Sequence, residues 1–458
     1  MSQRLLLTIT AFALLSLSLS ASANSWPQFR GPDSNGLTSE EKLPSEWDAD
    51  TNIQWTATVP GTGWASPIVW GDKVFISTAV ADESTLPPRR ERDAEDDDEE
   101  EDDEEEEPRT PPTTVYSWEL YCLDRNTGEV LWNRVAHAGN PRNHIQPANT
   151  YASETPVTDG EYVYAYFGMV GIFCYDFEGK PIWQKEFGFQ PMLFDFGTAS
   201  SPALAGDLLF LQIDSEEDSY LLALDKRTGN ERWRKPRNEP STWSSPVIWK
   251  NKVRTELVTS GNTARSYDPE TGKILWTLEM PGRPISATPT GDEERIIMAS
   301  GEQEDEDGER PGFMYSIRAG AQGNITPEAG SSTSANIEWM QENTALSMSS
   351  PLIYGGSVYV LNNRRGRVSS YNVETGTPHH EAARLKGAKG FWASPWGNDG
   401  KVFLLDEKGT THVLEAGSSL EVTGQNKIED KFWASPAIAE GGIVFRGTKQ
   451  IYYVKNPS

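Results

Sequence analysis

The sequence predicts an all-β protein, an eight-bladed β-propeller of four-stranded antiparallel blades, on three observations. A small residue followed by proline recurs eight times, at Ser66-Pro67, Thr155-Pro156, Ser201-Pro202, Ser245-Pro246, Thr288-Pro289, Ser350-Pro351, Ser394-Pro395 and Ser435-Pro436. The prolines are 89, 46, 44, 43, 62, 44 and 41 residues apart, a period of about 44 once the two long gaps are read as insertions. Between successive marks the same order of short apolar runs and polar turns returns, enough for four strands per unit.

Each unit opens after its proline with a short apolar strand. A polar turn such as Gly71-Asp72 or Gly206-Asp207 leads to a second strand, for example Lys73–Ser77. The third strand ends in Leu-Asp or Tyr-Asp, a Thr-Gly turn follows, and the fourth strand carries a tryptophan. The pattern is plainest in LDRNTGEVLW (123–132), LDKRTGNERW (224–233) and YDPETGKILW (267–276); YDFEGKPIW (175–183) has a shorter turn. Asp and Gly suit tight turns between paired strands, and Val, Ile, Tyr and Phe suit the half-buried flanks. The last unit runs out at Tyr453 after three strands. Asn52-Ile53-Gln54-Trp55 matches the fourth-strand segment Asn336-Ile337-Glu338-Trp339, so residues 52–58 are expected to complete blade eight and remove a free edge.

The LD-x-x-TG-x-x-x-W pattern resembles the repeat of the pyrroloquinoline-quinone (PQQ) propeller family, which includes quinoprotein dehydrogenases and the outer-membrane assembly lipoprotein BamB. The resemblance spans roughly residues 50–455, and WPQFRGPDSNG (26–36) is similar to the opening of secreted members. It implies the propeller, and it implies that Trp55, Trp132, Trp183, Trp233, Trp276 and Trp339 dock against the next blade. Blades six and seven depart from it, with His380 and Glu421 where the others have Trp. His380 reads as a surface substitute. For function the family offers two precedents, a scaffold working by protein contacts and an enzyme using PQQ with Ca²⁺.

The rest of the chain frames that choice. Residues 1–23 have a positive start, an apolar stretch and Ala21-Ser22-Ala23, the form of a secretory signal peptide cleaved near Ala23-Asn24. No later stretch is long and apolar enough to span a membrane, and no Cys stands at the cleavage point for a lipid anchor. A periplasmic or extracellular address is expected. Residues 24–51 read as an N-terminal extension and 52–455 as the propeller. An acidic insertion in blade one covers 82–114, and its core, 91–107, holds fifteen acids and one Arg. Such a block repels itself, and a chain of net charge −27 is a poor match for nucleic acid. Cys122 and Cys174 occupy the same register on third strands of adjacent blades. Sheets packed about 10 Å apart place them too far apart for a disulfide, so two buried free thiols are expected.

Candidate site residues come from the loops. Trp64, Trp243, Trp392 and Trp433 stand three residues before the repeat proline, where Ser153, Ala199, Ser286 and Met348 stand in the other units. They form either interblade packing or an aromatic wall for a ligand. The connection from His137 to Tyr151 brings Arg142 and His144. In FDFGTAS (194–200), Asp195 is the one candidate base if the chain were a quinoprotein dehydrogenase. Arg283, Arg364, Arg365 and Arg367 lie on one face as candidate partner contacts, opposed by acidic loops that include Asp214 and Glu216–Asp218. No Ser-His-Asp grouping or metal-spaced His pair occurs, and no adjacent Cys-Cys, so no metal site is assigned and no cofactor is expected, with PQQ and Ca²⁺ as the alternative. The reading is a monomeric, non-catalytic binding scaffold for an envelope or extracellular protein; a glycan or small-ligand binder is the other alternative.

Overall fold

The computed structural model describes residues 25–86, 112–188, 190–283, 285–305, 308–328, 330–342, 348–363 and 366–457. The leader, the acidic tract, Arg364 and Arg365 lie outside the described residues.

Eight antiparallel sheets of the repeat type form eight blades around a central channel. In blade three the strands are Ala203–Ala205, Leu208–Ile213, Tyr220–Asp225 and Glu231–Pro236, paired in that order. Burial follows position in the blade. Every residue of Leu208–Ile213 is buried, because the middle strands have a neighbouring blade on each face, whereas Glu231–Pro236 alternates between exposed and half-buried at the rim. The N-terminal strand Ile53–Ala57 pairs antiparallel with Ile451–Lys455 and closes blade eight as expected.

The repeat motif has a physical reading in two places. At the channel, each small residue of the proline mark links to the next blade. Ser66 donates its backbone N–H to Thr155 Oγ1 at 3.0 Å, Thr155 to Ser201 at 2.9 Å, Ser201 to Ser245 at 2.9 Å, and Ser245 to Thr288 at 3.2 Å. Thr288 donates to Ser350 at 3.0 Å, Ser350 to Ser394 at 3.0 Å, and Ser394 to Ser435 at 2.9 Å. From blade eight back to blade one, Arg446 donates to the carbonyls of Ala65 and Ser77 at 3.0 and 2.6 Å. The hydroxyl is therefore a blade-to-blade fastener, each link contributing about 1 kcal/mol.

At the rim, the Asp of the turn accepts backbone N–H groups, as Asp124 does from Asn126 and Thr127 at 2.8 and 2.9 Å. The Gly of the same turn adopts positive φ and receives the indole of the preceding blade. Trp55, Trp132, Trp183, Trp233 and Trp339 each donate Nε1–H to a carbonyl of the next blade at 2.8–3.0 Å. Trp276 departs from this expectation. It packs with Tyr315 and Ile317 of blade five, but its N–H goes to Glu256 of its own blade at 2.8 Å. The reason is local: Gly323-Asn324 runs back from blade five and pairs parallel with Ile274–Glu279, a fifth strand at that rim. His380 takes over the indole's role, its Nε2 meeting Ser418 O of blade seven at 3.0 Å.

Residues 25–51 cross the face opposite the blade connections. Trp26 exchanges backbone hydrogen bonds with Val69 at 2.8 and 2.9 Å in blade one, and Thr158 of blade two donates to Pro27 O at 2.9 Å. Asn398 of blade seven donates to Thr38 and Glu40 carbonyls at 3.1 and 3.0 Å. Arg30, 1% exposed, reaches the innermost strands, binding Thr290 Oγ1 and, at 2.7 Å, Pro351 O. The WPQFRGPDSNG segment is thus a tie across the ring, which no local pattern announced.

Cys122 and Cys174 are buried free thiols. Burial pushes the Cys122 thiol up to about 12 and raises that of Cys174 as well. Neither is expected to react with a water-soluble disulfide reagent at pH 8 until denaturant is added, when two equivalents should be released. Reaction of either thiol in the native protein would refute this packing.

Candidate functional site

The connections between blades share one face with the loops joining second and third strands. Trp64, Trp392 and Trp433 come together there. Trp392 and Trp433 stack with centroids 4.0 Å apart and planes 9° apart; Trp433 and Trp64 stack at 4.6 Å and 27°. The closed ring makes blades seven, eight and one neighbours, which is why three tryptophans far apart in sequence meet. Each offset pair contributes about 0.5–1.5 kcal/mol beyond burial. Glu407 accepts from Trp392 Nε1 at 3.2 Å, and Lys431 Nζ lies 4.6 Å from the Trp433 ring centre. Most of the facing aromatic surface is spent on the stack itself. Trp243 is not part of it. Its ring meets Phe196 edge-on at 5.7 Å and its Nε1–H donates to Gly197 O at 2.8 Å.

Trp64 ends the stack at a cleft of about 620 Å³ bounded by blades eight, one and two. His144 lines this cleft, and so do Tyr116, Tyr151, Arg446 and Lys449. Arg142 is not among the residues lining it: it is an exposed residue whose Nη1 donates to Phe187 O at 2.5 Å. His137, read as the start of the loop, belongs to the strand Val130–Gly139 and pairs with Trp118. The loop on the far side of the cleft, Gly447–Gln450, is held by Asp430, which accepts from Lys449 N at 3.0 Å, Thr448 Oγ1 at 2.8 Å and Tyr452 OH at 3.1 Å. Burial acts to raise the Asp430 carboxyl, but these donors outweigh it and hold it below the usual carboxylate range.

Asp195 sits in a one-turn helix, Leu193–Asp195. Phe194 and Asp195 are consecutive non-glycine residues at φ 49° and 52°, a left-handed conformation that costs each about 1 kcal/mol or more. The turn is held from blade one's connection. Gln146 N and Nε2 donate to the Asp195 and Phe194 carbonyls at 2.9 and 3.1 Å, and Asn149 Nδ2 donates to Phe196 O at 2.6 Å. The result displays Phe194, 71% exposed, beside exposed Leu193 and Phe196. Glu154, where other repeats have Ala or Ser, is a buried carboxyl that sequence reading passed over; it accepts Gly168 N at 3.1 Å, and burial raises its pKa.

Arg283 and Arg367 are exposed. In the opposing acidic loop of blade three, Asp214 and Glu216 are not the free charges expected, whereas Glu217 and Asp218 are exposed. Asp214 is buried against Arg237 at 2.8 Å, and Glu216 accepts both the N–H and hydroxyl of Ser241 at 2.9 and 2.6 Å. These two carboxylates are structural. The blade-five insertion forms a hairpin, Gln303–Asp305 with Gly308–Arg310. Among the described residues no group of three or more His, Cys, Asp or Glu side chains is placed to hold a metal ion. The calcium-and-quinone centre that part of the fold family implies needs such a donor set beside its base. Asp195 has none around it among the described residues and the two thiols lie on separate blades, so these residues do not fit that group.

A family model described as outer membrane protein assembly factor BamB matches residues 117–253 and 261–450. The chain belongs to this family of PQQ-like β-propellers. No curated protein matches it. Among solved structures, BamB from Moraxella catarrhalis is similar with a TM-score of 0.52 and 13% identity, over 74% of this chain and 88% of that one. A europium-containing methanol dehydrogenase aligns with a TM-score of 0.55 and 11% identity over 96% and 90%. Quinohemoprotein alcohol dehydrogenase from Comamonas testosteroni gives 0.54 and 11% over 97% and 83%. At these identities the likeness is one of fold, and the fold serves a scaffold and enzymes alike.

Proposed function

We propose that this PQQ-like propeller is a non-catalytic docking scaffold of the periplasm or extracellular space, working by protein–protein contact. The observation that carries this reading is the display of Phe194. A strained turn, braced from a neighbouring connection, holds Leu193, Phe194 and Phe196 out to solvent beside Trp243. Exposed aromatic clusters on a rigid frame are the usual anchors of protein interfaces. The secretory form of residues 1–23 supports the address. No transmembrane helix occurs among the described residues.

The test places a photo-crosslinking residue at Phe194 and, as a control, at Val253, an exposed apolar position in blade four's first turn. One discrete adduct from position 194, absent from 253 and lost in a Phe196→Ser background, is expected in the native envelope. Equal labelling from both positions refutes the docking face. The enzymatic reading is tested separately by adding PQQ and Ca²⁺ and following dye reduction by alcohols and sugars; turnover abolished by Asp195→Asn would replace the scaffold with a dehydrogenase.

A further inference from the structure

The cleft at blades eight, one and two has a charge pattern unlike the rest of the chain. The protein carries a net charge of −27, yet among the described residues lining this cleft there is no Asp or Glu. Among the described lining residues the fixed charges are Arg446 and Lys449, and His144 is the remaining basic side chain. Arg446 is 6% exposed and, among the described residues, has no carboxylate within ion-pair distance. Among the described residues only its Nη1 is committed, to the carbonyls of Ala65 and Ser77. Nη2 lies against Gly63, where an added Cβ would come within 2.4 Å of it, so the absence of a side chain there keeps the guanidinium in place on the cleft wall. Asp430, which holds the loop Gly447–Gln450 at the cleft's edge, is spent on that loop's N–H groups and on the Thr448 and Tyr452 hydroxyls.

A buried cation without a counter-charge is costly, and burial here lowers the Arg446 pKa to about 9. Arg30 is also buried without a carboxylate among the described residues, but both its Nη1 and its Nη2 are taken, by Thr290, Asn35 and Pro351. Arg446 differs in opening on a cleft of small-ligand size. The same cleft has the Trp64 indole on one wall and Tyr116 on another. An aromatic face and hydroxyl donors suit a saccharide ring; the cations call for an acid on it.

We propose that this cleft binds a carboxylated sugar, the carboxylate on Arg446 and Lys449 and the ring against Trp64. The site uses residues apart from the Phe194 turn and does not rest on the docking role. Nothing in it requires a covalent step.

The test is calorimetry on the mature full-length protein with tri-galacturonate, and with its methyl ester as an uncharged twin of the same ring. The acid is expected to bind at least about tenfold more tightly than the ester, as charge-assisted hydrogen bonds are the stronger kind. Lys449→Glu should weaken the acid by a comparable factor and leave the ester unchanged; Lys449 is exposed, so this variant is expected to fold. Arg446→Met should abolish acid binding, read together with its melting curve. Equal affinity for acid and ester overturns the proposal, and so does binding of neither by the native protein, repeated with tri-glucuronate. Binding of PQQ but no uronate overturns it as well. If uronate binds only after the acids of 91–107 are replaced by Gly and Ser, the cleft is served by the chain's own carboxylates, and the proposal again fails.

Discussion

Gly229→Ala is expected to destabilise the propeller by about 2–4 kcal/mol, summing a left-handed backbone penalty and an overpacking penalty. Gly229 adopts φ +69°, and an added Cβ would lie 2.5 Å from Trp183 Cε3 and 2.7 Å from Cδ2. The indole cannot retreat, because its Nε1–H is fixed to Lys226 O at 3.0 Å. Gly400→Ala isolates the first penalty. Gly400 has φ +71° but nothing within 4 Å of a built Cβ, so only about 1–2 kcal/mol should be lost. Urea midpoints at constant slope measure the difference. Equal losses in the two variants would show that the Thr-Gly glycines are kept for backbone conformation alone, and the docking account of the rim tryptophans would fall.

Asp214→Ala is expected to cost about 3–5 kcal/mol, because it leaves a buried guanidinium without its partner. The side chains of Asp214 and Arg237 are both 0% exposed, with Nε and Oδ1 2.8 Å apart. Thr242 Oγ1 and Gln212 Nε2 donate to the other carboxylate oxygen at 2.7 and 2.8 Å. Burial acts to lower the Arg237 pKa; Asp214 beside it more than offsets that and keeps the guanidinium charged. An Asp214→Leu/Arg237→Met pair should recover most of the loss, since replacing both members of a buried ion pair removes the orphaned charge. Thermal melts of the three variants decide this. A double variant no more stable than Asp214→Ala would mean that the network with Thr242, Thr259 and Ser260, not the charge pair, supports the blade three–four contact.

Asp214 also shows where sequence reading fails and why. In sequence it stands beside Glu216, Glu217 and Asp218, and a run of acids in a loop reads as solvated charge. Its partner Arg237 lies at the end of the same blade's fourth strand, a distance set by strand pairing and not by any local pattern. Trp64, Trp392 and Trp433 failed differently. Their equivalence was legible because the motif repeats, and their adjacency followed once blades seven, eight and one were neighbours. Whether their faces were free or used by one another depended on side-chain geometry across the channel.

The sequence by itself determined the blade number, the strand order within each blade and the closure of blade eight by Ile53–Ala57. Those features rest on local physics, the turn preferences of Asp and Gly and the alternation of half-buried strands, repeated often enough to average out insertions. Two buried thiols followed from the same register. Only the tertiary structure decided the rest: the tie of Trp26 and Arg30 across the ring, the stacking of three tryptophans, the exposed Phe194 turn and the cleft onto which Arg446 opens. Each joins residues tens to hundreds of positions apart, where burial and pairing depend on which surfaces the closed ring brings into contact.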